Sequence, residues 1–144
     1  MSKDLLAQWN QLQRKMAGFH VGDPEATSVW SPNTDIYETP EGLVVKVELP
    51  GVPQNNVQVE IGDGAMVIEG IRRDPYCGAT SAGYRFRQME IEYGPFRRAI
   101  ALPYAVDAQA SRAKLDGGFL EITLPRARQK MKRRITVVIE QDAR

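Results

Sequence analysis

Apolar and polar side chains alternate, one position at a time, through most of this chain. Leu43, Val45, Val47 and Leu49 are interleaved with Val44, Lys46 and Glu48, and Val57, Val59 and Ile61 with Gln58 and Glu60. Met66 and Ile68 head a further apolar run, and Leu120, Ile122 and Leu124 alternate with Glu121 and Thr123. A period of two is the mark of a strand with one buried face. Turn chemistry separates the runs: Pro40-Glu41-Gly42, Pro50-Gly51-Val52-Pro53, Gly62-Asp63-Gly64 and Gly117-Gly118. The Gly-Gly pair supplies the positive φ angles of a two-residue hairpin loop, and Pro125 ends the strand that follows because it has no N–H to donate. Short strands at regular spacing, punctuated by Gly and Pro, predict an all-β sandwich.

Four stretches depart from that pattern. Leu5, Trp9, Leu12, Met16 and Phe19 recur at steps of four and three, which sets large apolar groups along one stripe of a helix. Packed on its own domain, the stripe is ordinary core. Left uncovered, a helix this short is marginal in water, and the stripe becomes a surface for other subunits or for client protein. Residues 22–34 read as a linker. Residues 73–90 form a connection longer than a hairpin needs, and within it Tyr84-Arg85-Phe86-Arg87 alternates like a short strand; a disordered surface loop is the other reading. Residues 126–134 carry six basic side chains in nine, which reads as a solvated tether, and Ile135, Val137 and Ile139 then resume the alternation. The expected domains are an arm over 1–32, the sandwich over 33–125 and an extension over 126–144.

Composition narrows the functions. With 42% apolar and 26% charged residues the balance is that of an ordinary soluble protein, and no stretch is long enough to cross a bilayer. The net charge of +1 hides an asymmetry: residues 126–144 hold seven Lys/Arg against two Asp/Glu, and residues 1–125 hold twelve against sixteen. The basic run has no interleaved aromatics or base-reading side chains, so nucleic acid is not an expected partner. One cysteine, Cys77, excludes an intrachain disulfide and fits a reducing cytoplasm. The first residues show no apolar segment behind a basic cluster, so no secretory signal is expected. His20 is the only histidine, and it lies far along the chain from Cys77. With no Gly-rich phosphate loop, no metal-ligand cluster and no nucleophile beside a base, the expectation is no catalytic residue, no metal, no cofactor and no enzyme.

Specific residues carry a resemblance. Ala113-Lys114-Leu115-Asp116-Gly117-Gly118-Phe119-Leu120, running on to Pro125, resembles the A-x-x-x-G-G-x-L signature of the small heat-shock proteins, the α-crystallin family. Leu49-Pro50-Gly51-Val52 and Met66-Val67-Ile68-Glu69-Gly70-Ile71-Arg72 are similar to the family's L-P-G-V and L-x-I-x-G-x-R. Glu90, Tyr93-Gly94-Pro95-Phe96-Arg97-Arg98 and Leu102-Pro103 resemble its E-x-x-Y-G-x-F-x-R-x-x-x-L-P. Ile135-Thr136-Val137 resembles its carboxy-terminal I-x-I/V anchor, with Thr136 where Pro is frequent.

The resemblance implies an immunoglobulin-like antiparallel sandwich with a short amino-terminal helix and an extended tail, assembled as dimers into a larger homo-oligomer. It implies that the strand Tyr84, Arg85, Phe86 and Arg87 pairs with a neighbouring subunit, with Glu90 and Arg98 at the same dimer interface. An arginine fork can hold a carboxylate bidentately there, which lysine cannot. It also implies that Ile135 and Val137 enter a groove lined by Val57, Val59, Ser111 and Ala113 on a neighbour. Because the alternation continues to Ile139, the anchor register stays open between Ile135/Val137 and Val137/Ile139. The activity implied is ATP-independent holding of unfolding proteins in the stress response. The competing expectation is a basic-tailed β-sandwich adaptor that binds one specific protein or nucleic acid.

Overall fold

The computed structural model describes residues 29–77, 81–128 and 135–141. Among the described residues nine strands make two sheets: β1 (Thr34–Thr39), β2 (Gly42–Glu48), β3 (Val57–Ile61), β4 (Ala65–Arg72), β5 (Gly94–Ala101), β6 (Arg112–Asp116), β7 (Phe119–Pro125), β8 (Ile135–Val137) and β9 (Ile139–Gln141). One sheet runs β1-β2-β7-β6-β9 and the other β5-β4-β3-β8. All pairings are antiparallel except β6 with β9. The expected all-β sandwich is the observed fold. The amino-terminal stripe Leu5, Trp9, Leu12, Met16 and Phe19 lies outside the described residues.

Alternation puts one set of side chains between the sheets. Leu43, Val45 and Val47 of β2, with Leu120, Ile122 and Leu124 of β7 beside them, face Val59 and Ile61 of β3 and Met66 and Ile68 of β4, all 2% exposed or less. Burying each such side chain contributes roughly 1.5–3 kcal/mol, which is why the period of two was so legible in the sequence. Gly117 and Gly118 turn β6 into β7 with φ of +57° and +84°. The hairpin then packs on the Leu49-Pro50 turn: Leu49 N–H donates to the Gly118 carbonyl at 2.7 Å.

Gly70 shows why the β4 motif carries a glycine. A Cβ there would press into the Asn56 carbonyl oxygen and stand 2.6 Å from the Phe96 ring. Gly70→Ala is therefore expected to cost roughly 1–3 kcal/mol, the range for overpacking a core. A denaturant midpoint unchanged from the parent protein would show that β4 shifts without cost.

The two lateral sides of the sandwich differ. On one side lie the outer strands β1 and β5. There Trp30 N–H donates to the Pro95 carbonyl at 3.2 Å and the Trp30 carbonyl accepts from Arg97 N–H at 3.0 Å, so the entering chain covers part of the β5 edge. On the other side the tail supplies the outer strand of both sheets, β8 against β3 and β9 against β6. Residues 135–141, in the stretch expected to be an extension, thus pair with β3 and β6 of their own chain.

Candidate functional site

On the tail side, Val137 sits opposite Val59 and Ile139 opposite Ala113. Residues two apart on an extended chain point the same way, and these two point between the sheets. They are 7% and 6% exposed, while Val138 between them is 80% exposed at the crossing from one sheet to the other. Ile135, opposite Ile61, is only partly buried. Of the two registers the alternation allows, the structure seats Val137 and Ile139 deepest. The small Ala113 leaves space for the isoleucine, and Val57 lines the cleft beside Val137, Val138 and Ile139. Ser111 stands outside the ladder: its Oγ–H donates to the Asp107 carbonyl at 2.8 Å and closes the turn before β6. The sequence reading missed Gln54, whose Nε2–H donates to the Ile139 carbonyl from the 3₁₀ turn Gln54–Asn56. No periodicity could have singled it out, since the two residues lie 85 positions apart.

On the opposite side, β1 pairs only with β2, and among the described residues its outer edge has no ladder partner. Ile36 and Tyr37 on that strand are each 47% exposed. Tyr84, Arg85, Phe86, Arg87 and Glu90 are all exposed, as are Met89 and Ile91. Tyr84-Arg85-Phe86-Arg87, read from the sequence as a short strand or a surface loop, forms no ladder among the described residues. A strand is defined by its partner, and none of the described edges pairs with this segment. Tyr76 holds the loop together, with its ring edge-on to Phe86 at 4.9 Å and to Tyr93 at 5.8 Å.

Arg72 is a second residue whose role the sequence reading missed. Its guanidinium lies 4.4 Å from the Trp30 ring centre and 5.5 Å from that of Tyr93. It also donates from Nε to the Glu92 carbonyl at 2.9 Å and from Nη1 to the Pro50 carbonyl at 3.2 Å. The end of the long loop, the Leu49-Pro50 turn and the entering chain are tied together at this one fork.

Arg98 projects on the core-facing side of β5 between Phe96 and Ile100, partly buried, with no ion-pair partner among the described residues. Its neighbour Arg97 instead lies 3.9 Å from Glu69. Burial pushes the Glu69 carboxyl above its ordinary value, Arg97 draws it back, and Glu60 adds to the rise.

Cys77 is exposed, and its thiol donates to Asp74 Oδ2 at 3.3 Å. That hydrogen bond, then the Asp74 charge, then desolvation push the thiol pKa up, the wrong direction for a nucleophile. Among the described residues no three His, Cys, Asp or Glu side chains are grouped to hold a metal ion, and no helix is long and apolar enough to cross a membrane.

Residues 35–140 match the Hsp20/alpha crystallin family. Small heat shock protein C2 of Rickettsia felis is 35% identical over 106 residues, which cover 74% of this chain and 67% of that one. Small heat shock protein C4 of the same organism is 29% identical over 129 residues, covering 90% and 77%. Among solved structures, heat shock protein 16.0 from Schizosaccharomyces pombe superposes with a TM-score of 0.65 at 30% identity, covering 77% of this chain and 85% of that one. The hspA of Xanthomonas axonopodis gives 0.62 at 33% identity, covering 72% and 100%. Fold, motif order and similarity agree: the chain belongs to the Hsp20/alpha crystallin family of small heat-shock proteins, which are ATP-independent chaperones and not enzymes.

Proposed function

We propose that this protein is a holdase: a homo-oligomer, built from dimers, that binds unfolding proteins and keeps them from aggregating without consuming ATP. The observation that carries the reading is unsatisfied surface on a complete sandwich. Tyr84, Phe86, Met89 and Ile91 stand 47–63% exposed, and the outer edge of β1 has no ladder partner among the described residues. Monomeric proteins blunt such edges, and a long open one is a template for a second chain. The dimer forms when residues 84–87 of one copy add to the β1 edge of another, with Glu90 and Arg98 beside the contact. The tail groove supplies the second level of assembly, because an element seated on its own chain can make the same contacts on a neighbour. The stripe Leu5, Trp9, Leu12, Met16 and Phe19 is the client-facing surface. The free, exposed thiol of Cys77 fits a reducing cytoplasm.

The test is light scattering from three unrelated proteins heated with equimolar chaperone and no nucleotide. Suppression of all three is expected, and changing the five stripe residues to Ser is expected to abolish most of it. Scattering unchanged at several-fold excess ends the holdase reading. Suppression of one protein alone favours an adaptor.

A further inference from the structure

The groove between β3 and β6 is filled in this structure by the chain's own tail. We propose that this is a self-capping site: in the free protomer the tail closes the groove of its own chain, Gln54 pins it, and capping in this way competes with exchange of tails between copies. The proposal rests on the reading of the tail as an assembly latch, and it adds what holds that latch shut.

The geometry favours closure at home. The chain leaving β7 is fixed as far as Ala127: Arg126 N–H donates to the Glu41 carbonyl at 3.3 Å, and Ala127 N–H to the Ala105 carbonyl at 2.8 Å. The Arg126 guanidinium also lies 3.9 Å from the Tyr104 ring centre. Seven residues, 128–134, then separate Ala127 from Ile135. At roughly 3.3–3.6 Å per residue that tether reaches under about 30 Å. A tether so short holds the tail beside its own groove at an effective concentration on the order of millimolar. A tail from another molecule would make the same contacts, so at micromolar protein the home tail wins. A neighbour's tail succeeds only where assembly holds it within similar reach. Self-capping therefore sets a threshold for growth beyond the dimer, and it covers the free edges of β3 and β6 until then.

Gln54 acts at the crossing. Val138 stands where the tail leaves one sheet for the other, and the Ile139 carbonyl just beyond takes its hydrogen bond from the Gln54 amide. Two three-residue strands are a slight hold by themselves. A side-chain tie at the point where they join makes them one seat.

A disulfide reads the choice directly. Glu60 and Thr136 are ladder partners on β3 and β8 with neither side chain fully buried. In a Cys77→Ser background, Glu60→Cys with Thr136→Cys is oxidised mildly at low micromolar concentration and run on a non-reducing denaturing gel. Single chains carrying an internal bond are expected; a ladder of chains linked to one another, with none closed internally, overturns the proposal. Inserting ten Gly-Ser residues into the tether should lower the ratio of internal to intermolecular bonds about fourfold, since effective concentration falls as roughly the −3/2 power of length. For Gln54, the readout is thiol labelling of Val137→Cys in the same background, which requires the tail to lift. Gln54→Leu keeps the bulk, removes the donor and should speed labelling about three- to tenfold, the worth of one hydrogen bond. An unchanged rate removes Gln54 from the device. Internal disulfides in a protein that fails to suppress aggregation would sink the holdase reading and leave self-capping standing.

Discussion

Replacing residues 73–90 by a four-residue Gly-Ser turn should leave a folded sandwich that sediments as a monomer. The splice is short enough to close. Arg72 and Gly94 are direct ladder partners, and the Arg72 side chain already reaches the Glu92 carbonyl, so the two ends of the removed segment lie close together. The fold should survive because Tyr84, Phe86 and Met89 are exposed and contribute nothing to the core. The fork of Arg72 also keeps its partners, since Trp30, Pro50, Glu92 and Tyr93 lie outside the excised stretch. What disappears is the strand that would cover β1. Burying Tyr84 and Phe86 on a neighbour contributes roughly 1.5–3 kcal/mol each, and two-fold symmetry makes that contact twice. Even after ordering costs, a loss of about 4 kcal/mol weakens dimerisation about a thousandfold. Sedimentation velocity at micromolar concentration checks it, with circular dichroism to confirm the sheet. A variant that remains a dimer would move the interface to the β5 edge and Arg98.

The parts of this structure that could be read from the sequence are those whose partner lies nearby or whose burial repeats. Gly117-Gly118 writes its hairpin locally, and the strands of Val45, Val59 and Ile122 write theirs through alternation. The tail shows where that reading stops. Ile135, Val137 and Ile139 all obey the same period, so periodicity alone cannot say which two go deepest. The available edges decide it: β3 takes Val137, β6 takes Ile139, and the crossing falls at Val138. Ser111 has the right size for a groove wall, and its hydroxyl also donates to the Asp107 carbonyl in the turn just before the strand that begins at Arg112, a tie that no periodicity marks. Tyr84 to Arg87 carries a strand pattern whose partner is absent from the rest of the described chain. Arg72 was visible as the last residue of a motif, but its work depends on Trp30, 42 positions away, and on backbone carbonyls that no pattern marks.

The largest effect on assembly is expected from the tail, and the structure redirects it to Val137→Ala with Ile139→Ala. Burying these two side chains contributes on the order of 3–5 kcal/mol. Fixing the backbone of each tail residue opposes it by about 1–2 kcal/mol, and the short ladders of β8 and β9 return only part of that. The seat is therefore weak for one chain. A truncated core side chain normally leaves a cavity, but here the weakened strand can simply lift away. The double mutant should accordingly match a chain ended after Arg128, with the same unfolding midpoint and the same solution mass. Ile135→Ala, at a partly buried position, should do less, and Val138→Ser, at an exposed one, almost nothing. Assembly amplifies the difference, because latches acting together multiply through effective concentration. Light scattering should thus show the mass of the double mutant falling towards a dimer while the β-sheet circular dichroism stays intact. If the mass holds with both side chains removed, the tail does not join the copies, and the stripe from Leu5 to Phe19 becomes the element that does.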